Sequence, residues 1–444
     1  MKFIYADSID QIDPDYDFAR DRNAPGRRAY WSDQYAHEFM PKPPYDGVLI
    51  SRGIVGDHLH RGKYSDAQAI RFRRIGARRF LRMDTPALSA MPIFGDCGAF
   101  TYVKEKKPPY TAENMAQFYA EGRFSHGCSV DHIIFAFRPD AKGLDGAEGD
   151  DRERFDITLE NANAFLKASK TILRFKPMGA IQGWSPESMA HAAKRLEKMG
   201  YDYLAVGGMA PLVAPDIKRA LQAIRSQIKP STKLHILGFA KAEQIHQFTD
   251  LGIESFDSTS PLYRAFMDAK SNYYAHSPTG GLDYYTAIRI PLATDDRILT
   301  NAVMEGRIRQ ELVTGLESRA LGALRAFDQQ KLDVESTVEQ VMAYQSVYQR
   351  LKCKTDKLFE KAISVTESSV RHTLRDAPWK VCGCKVCREA GIEVVIFRSS
   401  NRNKRRGFHN LQTYSEHLAK VLLNPNEVSR RIEHEKDHTA LRRA

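Results

Sequence analysis

Two groups of side chains in this chain have types and spacings that can do chemistry. The first comprises Asp96, Gln182, Gly207, Gly208, Gly238 and Asp257, each at or just beyond the end of a short apolar run. Asp96 sits in IFGDCGAF and Asp257 in IESFDSTS, so both carboxylates have apolar neighbours, a setting that perturbs a carboxyl group. Taken singly, each residue reads equally well as a helix cap or turn residue. Taken together at strand ends, they converge on one face if the strands form a barrel. Two facing carboxylates suit reaction at an anomeric carbon, where one attacks or shields an oxocarbenium-like centre and the other manages the leaving group's proton. Exchange of a base on a sugar needs the same two roles. Glycine at a strand end lets the backbone approach a flat heterocycle, and Phe100 or Leu237 can cover its faces, although Phe100 also reads as plain core.

The second group is Cys382-Gly-Cys384-Lys-Val-Cys387 followed by His409. Three cysteines and a histidine make a closed tetrahedral Zn²⁺ site, and with every position filled by protein the metal is structural. His417 competes as the fourth ligand. A redox role for the CxxC pair is disfavoured by the extra cysteine upstream and by the lack of a thioredoxin-like βαβ context. The other cysteines, Cys97, Cys128 and Cys353, are scattered, which points to metal ligation in a reducing compartment and not to a disulfide framework. Between Cys387 and His409 lies RSSNRNKRRGF, whose Arg402, Lys404, Arg405 and Arg406 read as a phosphate-contacting loop or as a solvated turn. RFRRIGARRFLR, from Arg71 to Arg82, is a second candidate contact surface, with arginines too dense for one amphipathic face.

The first group must be positioned by strands. Apolar runs at GVLIS from Gly47, MPIF from Met91, HIIFAF from His132, MGAIQ from Met178, YLAVGG from Tyr203, LHILG from Leu234 and IESFD from Ile253 alternate with helical patterns. That series is the signature of a parallel α/β fold, either a (β/α)8 barrel or a doubly wound sheet. Ser185-Pro186-Glu187 starts a helix that Gly200 should stop; Pro215 opens another, and AEQIHQFTDLG ends at Gly252. The expected divisions are a barrel domain with an N-terminal extension over 1–294, a helical insertion over 295–376 and a zinc-binding subdomain over 377–444. VEQVMAYQSVYQRL typifies the three- and four-residue apolar spacing of the insertion.

The chain has 444 residues, with 66 Lys+Arg against 55 Asp+Glu and a formal charge of +11, which favours a polyanionic partner. The N-terminus carries acids where a signal peptide is apolar, and no run approaches the roughly 18 apolar residues that span a bilayer. The expectation is a soluble, cytoplasmic protein without a membrane partner.

The motifs resemble those of the tRNA-guanine transglycosylase superfamily over about residues 47–270 and from 382 to about 420. GDCGAF looks like the family's acid/base motif, which puts Asp96 in the proton-transfer role and Cys97 and Phe100 beside the base. IQG at Ile181–Gly183 and VGGM at Val206–Met209 resemble the base-binding elements, ILG before Phe239 resembles a strand that stacks on the base, and FDS sits where the family keeps its nucleophilic Asp. By this likeness Gln182, Gly207, Gly208, Met209, Leu237 and Gly238 contact the base, the fold is an irregular TIM barrel with a zinc-bearing extension, and His409, followed by Asn410, is favoured over His417. The acidic residue that reads the base is not evident; Asp131 and Asp140 are the candidates. Ala99 replaces a glycine, STSPLYRAFMDAK replaces an arginine-rich segment, and the helical insertion is foreign to the tRNA enzymes. These departures resemble the DpdA branch, whose members insert 7-deazaguanines such as preQ0 into DNA.

The resemblance implies a pentosyltransferase that works by double displacement, with Asp257 attacking C1′ and Asp96 protonating the departing guanine. It also implies a helper partner, often an ATPase. The rivals are the same chemistry on tRNA and a non-catalytic nucleic-acid binding protein. A metal-dependent hydrolase is excluded because the barrel strands lack His clusters.

Overall fold

A computed structural model of the chain describes residues 1–239, 242–267, 270–278 and 280–423. Two compact units emerge: Met1–Asp10 with Tyr45–Ser260 and the segment from Leu418, and Gln11–Pro44 with Pro261–His417.

In the first unit eight parallel strands close into a barrel in chain order. They are β1 (Lys2–Ala6), β2 (Gly47–Ser51), β3 (Ile93–Asp96), β4 (His126–Cys128), β5 (Lys176–Ile181), β6 (Tyr203–Val206), β7 (Lys233–Ile236) and β8 (Ile253–Ser258). Closure rests on β1, which lies outside the seven runs read as strands. Its Ile4 pairs with Gly47 on one side and with Asp257 on the other, and Phe3, Ile4 and Tyr5 are all buried. This settles the choice between barrel and open sheet in favour of the irregular (β/α)8 barrel. Inward-facing Ile4, Leu49, Phe94, Cys128, Met178, Tyr203 and Ala205 form a layer that fills the interior, as a barrel of this size requires.

One expected strand is corrected. HIIFAF does not form the fourth strand; the short HGC segment upstream does, and residues 129–138 have no regular secondary structure. Two backbone amides of the apolar run are met by side chains, His132 N–H by Thr158 Oγ1 at 3.0 Å and Ile134 N–H by Gln182 Oε1 at 3.2 Å. A run whose amides are satisfied off the ladder can bury its apolar side chains as a loop. The helix signals hold: Ser185 Oγ accepts from the Ser188 amide, Pro186 opens the helix Pro186–Met199, and Gly200 ends it at φ 113°. The segment Ala242–Leu251 is 3₁₀-helical.

In the second unit β9 (Tyr273–His276) and β10 (Leu282–Tyr285) form an antiparallel hairpin, and β11 (Ile288–Arg289) pairs in parallel with β12 (Ile396–Phe397). Three long helices, Gln310–Asp328, Val334–Lys352 and Asp356–Asp376, make up the helical segment, the middle one packing against both others. A further helix, Ser400–Leu423, replaces the expected basic loop. Among the described residues no helix is long and apolar enough to cross a membrane.

Candidate active site and metal centre

The C-terminal ends of the barrel strands surround a cavity lined by Asp96, Cys97, Phe100, Asp131, Gln182, Gly207, Gly208, Leu237, Gly238 and Asp257 among others. Thus all but one of the barrel residues expected at the site are brought together. The exception is Met209, which is buried outside the lining.

Asp257 is the penultimate residue of β8 and is 6% exposed. Its Oδ1 accepts from the Gly238 amide at 3.0 Å and lies 3.1 Å from His235 Nε2. Gly238 reaches it with φ +62°, a left-handed conformation that glycine adopts without strain. Asp96 ends β3 beside Ser51, its register partner on β2. Its Oδ1 accepts from the Gly98 amide at 2.8 Å, and the Ser51 side chain bonds to the same carboxyl. Burial is the main cause that pushes the Asp96 carboxyl up to about 6, against the Ser51 and Gly98 bonds, and the nearby charges of Asp257 and Asp131 push the same way. Both carboxyls are thus held by two hydrogen bonds, and burial leaves Asp96 able to take up and release a proton near pH 6.

Asp131 lies on the loop after β4, buried, with its carboxyl shifted upward mainly by desolvation. Cys97 donates to its Oδ1 at 3.0 Å and Gln182 Nε2 to its Oδ2 at 2.6 Å. Burial and the adjacent carboxylates keep Cys97 a thiol, so it acts as a donor. Tyr102 closes the group with its hydroxyl 3.0 Å from both Cys97 Sγ and Asp131 O. Asp140, the other acidic candidate, pairs with Arg219 and lines no part of this cavity. At the mouth Phe100 and Phe135 are 64% and 48% exposed, ring centroids 6.1 Å apart. Exposed aromatic rings beside a polar cavity offer a stacking surface.

Ser51, His235 and Phe135 were not singled out in the sequence. Ser51 closes the apolar run GVLIS, so the strand-end criterion that finds Asp96 would also have found it. His235 shows no local signal, because its meeting with Asp257 depends on the register of β7 against β8.

In the second unit Cys382, Cys384, Cys387 and His409 bring their ligand atoms within 4.8 Å of one another, a group that could hold a metal ion. The sulfurs lie 3.6, 3.4 and 3.4 Å from His409 Nδ1. A tetrahedron with ordinary Zn–S and Zn–N bond lengths puts S and N about 3.5 Å apart, so the residues fit the ion. His409 Nε2 lies 2.6 Å from the Tyr274 carbonyl and the Tyr273 ring stacks on the imidazole, which leaves Nδ1 to the metal. His417 is not in the group.

The basic stretch upstream of His409 is placed differently from the expected loop. Arg402, Arg405 and Arg406 are at most 2% exposed on the helix Ser400–Leu423. Arg402 binds Glu393, Asp21 and the Phe18 carbonyl; Arg405 the carbonyls of Asp13 and Pro14; Arg406 those of Ala265 and Val394. These guanidinium groups are used up tying the second unit together. Lys404, between them, is partly exposed.

No family model matches the chain. A DNA-guanine transglycosylase from Salmonella montevideo is 39% identical over 425 residues, which cover 95% of this chain and 97% of the relative. Identity at that level over nearly the full length of both chains shows a shared family, and its name agrees with the two-carboxylate cavity: the chain belongs to the DNA-guanine transglycosylases, the DpdA branch of the tRNA-guanine transglycosylase superfamily.

Proposed function

We propose that the protein exchanges guanine in DNA for a 7-deazaguanine base such as preQ0 through a covalent glycosyl–Asp257 intermediate. The observation that carries this reading is the pairing, in one cavity, of Asp257 fixed by two donors with Asp96 poised near neutral pH. The target nucleotide must leave the stack to reach the cavity. Asp257 attacks C1′ as the C1′–N9 bond breaks, and the Asp96 proton goes to the departing guanine. The incoming base then gives its N9 proton to Asp96 and attacks C1′, and Asp257 leaves as a carboxylate. Phe100 and Leu237 cover the base faces, while Asp131, oriented by Cys97 and Gln182, accepts from its edge. The Cys3His group would hold a Zn²⁺ that ties the hairpin β9–β10 to the helix Ser400–Leu423, and the exposed Arg74 and Arg79 supply phosphate contacts.

The test is incubation with plasmid DNA or bulk tRNA plus preQ0, followed by nucleoside mass spectrometry of each polymer. Deazaguanine in DNA alone supports the reading; incorporation into tRNA alone replaces it with the tRNA reaction, and none in either polymer, even with a helper ATPase added, sinks it.

Asp96 sets the pH dependence. Its folded value lies above the ordinary carboxyl value, so the proton needed for guanine departure is present below pH about 6 and is lost as pH rises through that point. Guanine release in a single turnover should therefore slow progressively above pH 6. The same sign governs stability, since ionising the buried carboxyl costs the folded state. Asp96→Asn should raise the Tm at pH 8 more than at pH 5. A release rate flat from pH 5 to 8 would contradict the assignment.

A Cβ at Gly207 would come within 2.3 Å of Gln182 Nε2. Gly207→Ala should therefore push the Gln182 amide off Asp131 and weaken binding of the incoming base roughly tenfold, with the fold retained. Calorimetry with preQ0 would measure this, and unchanged affinity would remove Gln182 from base recognition.

A further inference from the structure

The barrel interior beneath Asp257 holds a run of polar side chains that the proposed mechanism does not use. His235 on β7 is fully buried, its ring stacked on Phe94 with centroids 5.1 Å apart. Its Nε2 is 3.1 Å from Asp257 Oδ1, and its Nδ1 is 2.6 Å from Ser255 Oγ on β8. Ser255 Oγ in turn lies 2.5 Å from the Tyr203 hydroxyl on β6. Polar groups in a barrel core are costly unless each finds a partner, and here every one does.

The chain of bonds has a sense. With Nε2 donating to Asp257 Oδ1, Nδ1 can accept from Ser255 Oγ and Ser255 in turn from the Tyr203 hydroxyl, so the three bonds can run in one direction. All three donors point toward the carboxylate. Oδ1 takes both the His235 and Gly238 bonds, and among the described residues no donor reaches Oδ2.

We propose that His235 is the positioning residue for Asp257: held in its Nε2–H tautomer by Ser255 and Tyr203, it pins Oδ1 so that Oδ2 is presented to C1′. The inference rests on Asp257 acting as the nucleophile. It separates two functions of one carboxylate: one oxygen anchors, the other forms and breaks the bond to the sugar. The anchoring bond also stabilises the carboxylate when it leaves C1′ in the second half-reaction.

The test is steady-state exchange of labelled guanine into DNA by the full chain, comparing wild type with His235→Phe, His235→Gln and Asp257→Ala. Phe fills the space without a donor, whereas the Gln amide can reach the place of Nε2. His235→Phe should lower kcat roughly 10- to 100-fold with KM within about twofold, and His235→Gln should recover most of the loss. Should His235→Phe fail to fold, Ser255→Ala provides the second variant. It frees the tautomer without touching Asp257 and should lower kcat several-fold at constant KM. A kcat for His235→Phe within twofold of wild type, a change in KM alone, or equal losses in the Phe and Gln variants would overturn the positioning role while an inactive Asp257→Ala leaves the nucleophile standing. Activity in Asp257→Ala would instead remove the nucleophile itself, and His235's role with it.

Discussion

Asp257→Asn is expected to abolish base exchange, lowering kcat by roughly 10⁴-fold or more, with DNA and free base still bound. The expectation follows from the geometry of the carboxylate. Asn keeps the size of Asp257 and one acceptor oxygen, so the Gly238 and His235 bonds to that oxygen survive and the cavity keeps its shape. What disappears is the second carboxylate oxygen, the atom that forms the ester to C1′ in the proposed double displacement. If the mechanism ran instead by direct attack of the incoming base on an unattached oxocarbenium centre, Asp257 would act only through its charge. The loss would then be nearer the 10²- to 10³-fold range that removal of one electrostatic stabiliser gives. Trapping distinguishes the cases: wild-type protein quenched with DNA in the absence of incoming base should carry DNA covalently on a denaturing gel, and Asp257→Asn should carry none. A covalent adduct that persists in the variant would show that the bond forms elsewhere.

The second large effect is on stability. Cys384→Ser should reduce bound zinc from about one ion per chain to near zero, measured by atomic emission, and destabilise the second unit by several kcal/mol. The magnitude reflects what the Cys3His group holds. His409 touches the Tyr274 carbonyl, the Tyr274 amide donates to Asn410 Oδ1 at 2.9 Å, and the Tyr273 hydroxyl lies 3.2 Å from Cys387 Sγ. Loss of the metal leaves clustered, buried sulfur and imidazole groups with no cation to satisfy them, so the hairpin β9–β10 and the helix Ser400–Leu423 lose their common tie. Hydrogen exchange should accordingly speed up in peptides spanning 270–278 and 400–412. Unchanged melting and exchange with the zinc gone would show that the group does not hold these elements together.

How much of this was legible in the chain varies with the range of the interaction. The Cys3His group was legible because its three sulfurs lie within six residues of one another, and only the choice of histidine needed more than local spacing. Asp96, Gln182 and Asp257 were legible because a polar residue closing an apolar run marks a strand end, and in a closed barrel all strand ends of one sense meet. The same logic failed for HIIFAF, where apolar content resembles a buried strand but two of its amides bond to Thr158 and Gln182 instead of a neighbouring strand. β1 was hidden by the acidic residues that follow it.

The basic stretch shows the limit most clearly. A run rich in arginine reads as solvent-facing, yet Arg402, Arg405 and Arg406 are drawn inside because internal carbonyls and carboxylates require donors. A guanidinium group, with five donors on a planar head, satisfies several such acceptors at once.

By itself the sequence determined the α/β class of fold and the three cysteines of the metal group, and it singled out Asp96 and Asp257, since each follows from residue type and short-range spacing. Only the tertiary structure decided which side chains act on those carboxylates. Ser51 meets Asp96 and His235 meets Asp257 through registers between strands, and register is set by closing the barrel around its core, a condition on the whole chain that no short segment encodes.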